Sequence, residues 1–189
     1  MPLAEITSTE DPRIAWYRDL PRNKIPRASG LFLVEGRWML ERLIDSRYEV
    51  ASVLTERGQC GELLARLPAE TPVFQAERAV LSGIVGYRFH RGVLACGRRR
   101  EPDSLEEILT AAHAGEGAER STVVVCPEVQ DPENLGGVIR NCTALGATAL
   151  VLGPNCGDPL SRRAVRVSMG NALFLPIIEA DLLRPSLEL

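Results

Sequence analysis

The sequence predicts a two-part α/β protein, and three observations carry that prediction. Strand-like and helix-like stretches alternate through the first hundred residues. A charged, glycine-containing segment interrupts them at 97–120. From 121 the apolar run TVVVCPEV opens a regular strand–helix–strand order of the kind that builds a parallel sheet. A length of 189 residues, with 45% hydrophobic and 5% aromatic content, suits one or two domains with a true core rather than a disordered chain.

In the first part, RIAWYRDL reads as a short helix closed by Pro21. LFLVEGRWMLERLIDS starts as a strand and passes through Glu35-Gly36 into a helix, with Met39, Leu40, Leu43 and Ile44 at helical spacing. VASVLTER is extended, GELLARL is a helix ended by Pro68, TPVFQA a strand, ERAVLSGI a helix and GVLACGRR a strand. Residues 1–100 are therefore expected to form a small α/β domain with a mixed sheet, and 101–120 a linking helix and loop. Ser104 and Glu107 have capping-box spacing at the start of LEEILTAAHA, and GEGAER follows as a flexible stretch.

In the second part, 121–189, the β-branched run TVVVCPEV is expected to be a buried parallel strand. PENLGGVIRNCTALG follows as a helix, with Leu135, Val138, Ile139, Cys142 and Leu145 on its apolar stripe and Gly146 as its C-cap. ATALVLG is the next strand, SRRAVRVSMG a helix, ALFLPII a third strand, and ADLLRPSLEL opens another helix. Such a βαβαβ order requires right-handed crossovers and places ligands at the C-terminal ends of its strands.

Charge and cysteine content exclude several function classes. The formal net charge of -3 does not announce a nucleic-acid partner, but the cations are bunched and nearly all are arginine, Lys24 being the one lysine. They gather at 18–27, 87–100 and 161–166; arginine forks onto phosphate, although on charge alone a solvated surface is the simpler reading. The five cysteines are scattered without CxxC spacing, so neither a disulfide framework nor zinc is indicated and a reducing cytoplasm is the simplest home. No apolar run approaches the roughly 18 residues of a membrane span, and no secretory leader is visible. His90 and His113 lack partners at metal-ligand spacing.

The stretch QDPENLGGVIRNCTALGA (130–147) is where chemistry is expected. Each of Gly136 and Gly137 costs a helix about 1 kcal/mol against alanine, so close approach of a ligand or of another backbone is the reason to keep them. Asn134 stands where an N-cap or a site residue belongs. Arg140 lies opposite the apolar stripe at 100° per residue, as a solvated arginine or a site arginine would.

Together, VQDPENLGGVIRNCTALGATALVLGP and RRAVRVSMGNALFLPI resemble the SpoU (TrmH-type) RNA ribose 2'-O-methyltransferases of the SPOUT, or α/β-knot, class. The family's first motif, D-P-x-N-x-G-x-x-x-R-x-A-x-x-F-G, coincides with Asp131, Pro132, Asn134, Gly136, Arg140 and Gly146. Ser168 and Gly170 fall on its S-x-G-A segment. Cys142, Leu145 and Asn171 depart from the usual alanine, phenylalanine and alanine. GLFLVEGRWMLERLI is similar to the substrate-RNA-binding domain that precedes the catalytic domain in many members.

The resemblance implies methyl transfer from S-adenosylmethionine to a ribose 2'-hydroxyl of structured RNA, ribosomal or transfer. It implies Asn134 and Arg140 as active-site residues, with Gly136 and Gly137 as active-site backbone. Arg22, Lys24, Arg27, Arg98, Arg99 and Arg100 become candidate RNA phosphate contacts. The family's N-E-G-x-G loop and Ser-Leu-Asn segment, which hold the cofactor in a C-terminal knot, have no counterpart in the sequence. A SPOUT domain that is C-terminally truncated is therefore the expectation, with cofactor-binding residues beyond Leu189. The complete enzyme is expected to be a homodimer. A non-catalytic RNA-binding module is the rival reading. A dinucleotide oxidoreductase is disfavoured because no GxGxxG follows a strand.

Overall fold

The computed structural model describes residues 3–22, 24–101, 103–114, 120–181 and 183. The chain divides into two compact units, Met1–Arg100 and Glu101–Leu189.

Unit 1 is built on five strands: β1 (Leu3–Glu5), β2 (Leu31–Glu35), β3 (Val50–Glu56), β4 (Val73–Ala76) and β5 (Val93–Arg98). Their order is β1-β4-β3-β5-β2; β1, β4 and β3 run parallel, and β5 is antiparallel to both of its neighbours. Helices α1 (Arg37–Ile44), α2 (Gly61–Leu64) and α3 (Arg78–Val85) fill the connections. The strand-to-helix switch read at Glu35-Gly36 is present: Gly36 takes φ 98°, which a side chain would resist, and α1 starts at the next residue. RIAWYRDL forms a 3-10 segment, Pro12–Tyr17, rather than an α-helix, with Asp11 as its N-cap. Strand β1 has no counterpart in the sequence reading because three residues are too few to show a period.

The core of unit 1 gathers Ile6, Ile14, Tyr17, Leu54, Leu81 and Leu94 with their neighbours. Each such side chain, fully buried, contributes about 1.5–3 kcal/mol. The Tyr17 hydroxyl, which needs a partner there, lies 2.7 Å from Ser52 Oγ. The antiparallel course of β5 also sorts the loops. The starts of β2 and β3 and the end of β5 share one end of the sheet; Glu35, Glu56 and the start of β5 share the other.

Unit 2 holds a three-stranded parallel sheet ordered β6 (Val123–Cys126), β7 (Ala149–Leu152), β8 (Ile177–Glu179). Helices α4 (Leu105–His113), α5 (Pro132–Ala144) and α6 (Arg162–Val167) accompany it. Ser104 and Glu107 form the expected capping box. α4 is more than a linker, however: Leu105 is buried with Ala149, Val151 and Ala180, so the helix is part of this unit's core.

Three expectations need correction. TVVVCPEV is not a buried strand: among the described residues β6 pairs with β7 alone, and Val125 is 37% exposed, whereas central β7 is buried throughout. A continuous apolar run is equally compatible with an edge position. Leu145 leaves the stripe and is 85% exposed, because α5 stops at Ala144. Gly146 (φ 72°) then terminates it, with Gly146 N–H to Thr143 O at 3.2 Å and Ala147 N–H to Cys142 O at 2.9 Å. ALFLPII becomes a 3-10 turn, Asn171–Leu173, and β8 begins only after Pro176. The helix expected from ADLLRPSLEL and most of GEGAER lie outside the described residues.

Candidate functional site

α5 begins where the chain leaves β6, and its first turn is fixed by Asp131 rather than by Asn134. Asp131 Oδ1 accepts the backbone N–H groups of Glu133 and Asn134 at 3.0 and 2.8 Å, and Pro132 occupies the first helical position, where no N–H is required. The Asn134 side chain is thereby released from capping. It is exposed and has no hydrogen-bond partner among the described residues.

The glycine pair divides its work. A Cβ on Gly136 would stand 2.7 Å from Val167 Cβ and 2.9 Å from Ala164 O, so this glycine lets α5 and α6 pack backbone to backbone. A Cβ on Gly137 would meet nothing within 4 Å. At 100° per residue Glu133, Gly137, Arg140 and Ala144 form one strip along α5, with Asn134 beside it. The strip carries a carboxylate and a guanidinium about 10 Å apart along the axis, with a side-chain-free gap between. Arg140 is exposed, and among the described residues it makes no ion pair or hydrogen bond. Glu133 instead pairs with Arg163 of α6. That pair is invisible in sequence because it joins residues thirty apart.

Ser168 and Gly170 shape the turn after α6. Ser168 is fully buried; its Oγ donates to Val165 O at 3.0 Å and accepts from Ala172 N–H at 3.3 Å. Met169 and Gly170 both take left-handed backbone, φ 56° and 77°. This tight reversal brings the Asn171–Leu173 turn against α5.

In unit 1 four of the candidate phosphate contacts, Arg27 and Arg98–Arg100, lie at one end of the sheet. Arg98 N–H donates to Glu49 O at 2.9 Å, Arg99 N–H to Gly30 O at 2.7 Å, and Arg99 Nε to Leu31 O at 3.2 Å. The end of β5 is thus stitched between the loop before β3 and the turn before β2, which carries Arg27. Arg22 and Lys24 are exposed on the segment that follows Asp19, which is tied to the end of α3 through Asp19 N–H to Ile84 O at 2.8 Å. Five of the six are partly committed: Arg98 Nε lies 3.2 Å from Glu49, Arg22 lies 3.9 Å from Asp19, and Arg27, Arg99 and Arg100 have partners of their own. At the opposite end the arginines face glutamates, with Arg37–Glu62 at 3.2 Å, Arg78–Glu56 at 3.1 Å and Arg91–Glu35 at 3.5 Å. Glu35 belongs to that neutralised end.

Thiol and metal chemistry find little support. All five cysteines are free, and burial pushes the Cys126 and Cys142 thiols up and Cys96 to about 11. Among the described residues no group of three or more His, Cys, Asp or Glu is placed to hold a metal, and no helix is long and apolar enough to cross a membrane. His113 Nε2 lies 3.1 Å from Ser121 Oγ.

Comparison with known proteins places this geometry in context. Residues 121–188 match the SpoU rRNA Methylase family. An "uncharacterized tRNA/rRNA methyltransferase" of Mycobacterium bovis is 34% identical over 93% of this chain and 60% of its own length. The 23S rRNA (guanosine(2553)-2'-O)-methyltransferase RlmP of Bacillus subtilis is 24% identical over 95% of this chain and 66% of its own. An AdoMet-bound rRNA methyltransferase from Sinorhizobium meliloti superposes with a TM-score of 0.77 at 27% identity, covering 94% of this chain and 65% of that one. The chain spans about 60% of the length of the Mycobacterium relatives it matches.

Proposed function

Since residues 121–188 are a SpoU-family segment, we propose that the protein acts in ribose 2'-O-methylation of structured RNA, ribosomal or transfer, with S-adenosylmethionine as methyl donor. The single observation that carries this reading is the outward strip of α5: Arg140 without a partner beside the open position of Gly137, with Asn134 freed from capping by Asp131.

A ribose hydroxyl is a weak nucleophile and sheds its proton as it attacks a methyl group. A guanidinium stays protonated and is therefore unsuited to take that proton. Arg140 instead forks onto the neighbouring phosphate and stabilises the negative charge that grows on the 2'-oxygen. Asn134 hydrogen-bonds the sugar, and Gly137 leaves room for it. Unit 1 is the substrate-RNA-binding domain, holding phosphates through Arg22, Lys24, Arg27 and Arg98–Arg100. The site belongs to a cytoplasmic enzyme that works as a homodimer.

S-adenosylmethionine supplies the methyl group in this chemistry, and the two loops that follow β6 and β7 do not fit it. The loops after β6 and β7 close on each other. A Cβ on Gly153 would stand 2.2 Å from Pro127 O, one on Gly157 2.7 Å from Gln130 O, and Gly157 N–H donates to Val129 O at 2.9 Å. The space at these glycines is filled by backbone carbonyls and leaves no cradle for an adenosyl group between the two loops, so Asn134 and Arg140 are assigned to the RNA side alone. The same observation favours the second reading, a non-catalytic RNA-binding module.

Equilibrium dialysis with labelled S-adenosylmethionine, alongside filter binding of labelled RNA, separates the two. Uptake of both ligands supports the enzyme. Uptake of RNA alone supports the module, and uptake of neither contradicts both.

A further inference from the structure

The basic end of unit 1 holds an aromatic group that sequence did not single out. Tyr48 sits in the turn between α1 and β3, next to Glu49, whose carbonyl binds the Arg98 backbone. The turn is fixed by Ser46, whose Oγ donates to Leu43 O at 2.8 Å and accepts Tyr48 N–H at 3.2 Å. The Tyr48 ring stands edge-on to Phe32, centroids 5.3 Å apart at 79°. Phe32 reaches that place because Gly97 opposite it has no side chain; a Cβ there would lie 2.3 Å from the ring. The Arg47 guanidinium lies 5.7 Å from the Tyr48 ring centroid. Tyr48 is half-buried and Arg47 exposed.

Resting on the RNA-binding role of unit 1, we infer that Tyr48 and Arg47 form a nucleobase-stacking site, so that unit 1 takes an unpaired nucleotide of a loop or bulge rather than a continuous duplex. An aromatic ring propped from behind and paired with a planar guanidinium offers two flat surfaces to a third flat group. In an A-form duplex the bases are stacked on one another and beyond reach of a side chain, whereas an unpaired base can turn onto such a surface. Arg98–Arg100 at the end of β5 and Arg27 before β2 lie at the same end of the sheet and would meet the adjoining phosphates.

The test compares two labelled RNAs of equal length and composition, a hairpin with an unpaired loop and a perfect duplex, binding to the full chain and its variants. The wild-type chain is expected to prefer the hairpin. Tyr48→Leu, which keeps bulk against Phe32 but has no ring, is expected to lose about tenfold to a hundredfold in hairpin affinity and nothing in duplex affinity. Tyr48→Trp is expected to retain the preference. A 2-aminopurine placed in the loop is expected to be quenched by the wild-type chain and not by Tyr48→Leu. Unchanged hairpin binding by Tyr48→Leu, or equal loss on both RNAs, overturns the stacking site while leaving RNA binding by unit 1 intact. A wild-type chain that binds neither RNA overturns both.

Discussion

At the residue scale, neighbouring glycines with opposite duties explain a pattern that costs helix stability. Gly136→Ala is expected to destabilise the chain by about 1–3 kcal/mol, since its Cβ meets Val167 and a backbone carbonyl that cannot swing away. Gly137→Ala, facing open space, is expected to stabilise by up to about 1 kcal/mol. Urea denaturation of the two variants checks the contrast, and equal shifts would contradict it. The outward aim of Arg140 was legible from helical spacing alone, because 100° per residue fixes which side of a helix a position faces. The division between Gly136 and Gly137 was not. It depends on where α6 returns, twenty-five or more residues later. The capping role of Asp131 was hidden because Asp131 and Asn134 are equally good cap residues by type.

At the element scale, α5 depends on its first turn. Asp131→Ala is expected to cost about 1 kcal/mol, and Asp131→Asn much less, as read from urea midpoints. A second prediction concerns the 3-10 segment Pro12–Tyr17. The side-chain hydrogen bond from Arg13, joined by its backbone N–H, holds the Asp11 carboxyl at about 2 against an ordinary 3.8. A depressed carboxyl contributes stability that is fully present above its unfolded value and lost as pH falls through the folded one. Acid titration of the wild-type chain between pH 4 and 2 should therefore show a loss that Asp11→Asn lacks. Coincident titration curves would contradict it. Elements whose signals are local, such as the Ser104–Glu107 capping box and the Glu35-Gly36 switch, were readable in the sequence. β6 was misplaced because burial depends on which strands lie beside it, and the third strand was displaced by two left-handed residues and Pro176.

At the scale of the whole molecule, charge is segregated rather than abundant. The formal net charge is -3, yet Arg27 and Arg98–Arg100 gather at one end of the unit 1 sheet, and Arg37, Arg78 and Arg91 face glutamates at the other. Association with RNA should therefore weaken steeply with salt, by a logarithmic slope of roughly 0.7 per single-stranded phosphate contacted. Replacing Arg98, Arg99 and Arg100 with alanine is expected to make that slope shallower by about 2. An unchanged slope would remove them from the interface. Sequence showed the clusters but not their convergence, which the antiparallel course of β5 creates.

The outward strip of α5 is tested most directly by transfer of labelled methyl groups from S-adenosylmethionine to the ribose 2'-oxygens of RNA, comparing the wild-type chain with Arg140→Ala. Arg140 is exposed and among the described residues makes no ion pair or hydrogen bond, so the variant should unfold within about 0.5 kcal/mol of the wild-type chain. Where the wild-type chain takes up S-adenosylmethionine, transfer is expected, with a loss of about a hundredfold to a thousandfold in the variant. Transfer by a stably folded Arg140→Ala chain at the wild-type rate would contradict the assignment of that strip to the reaction.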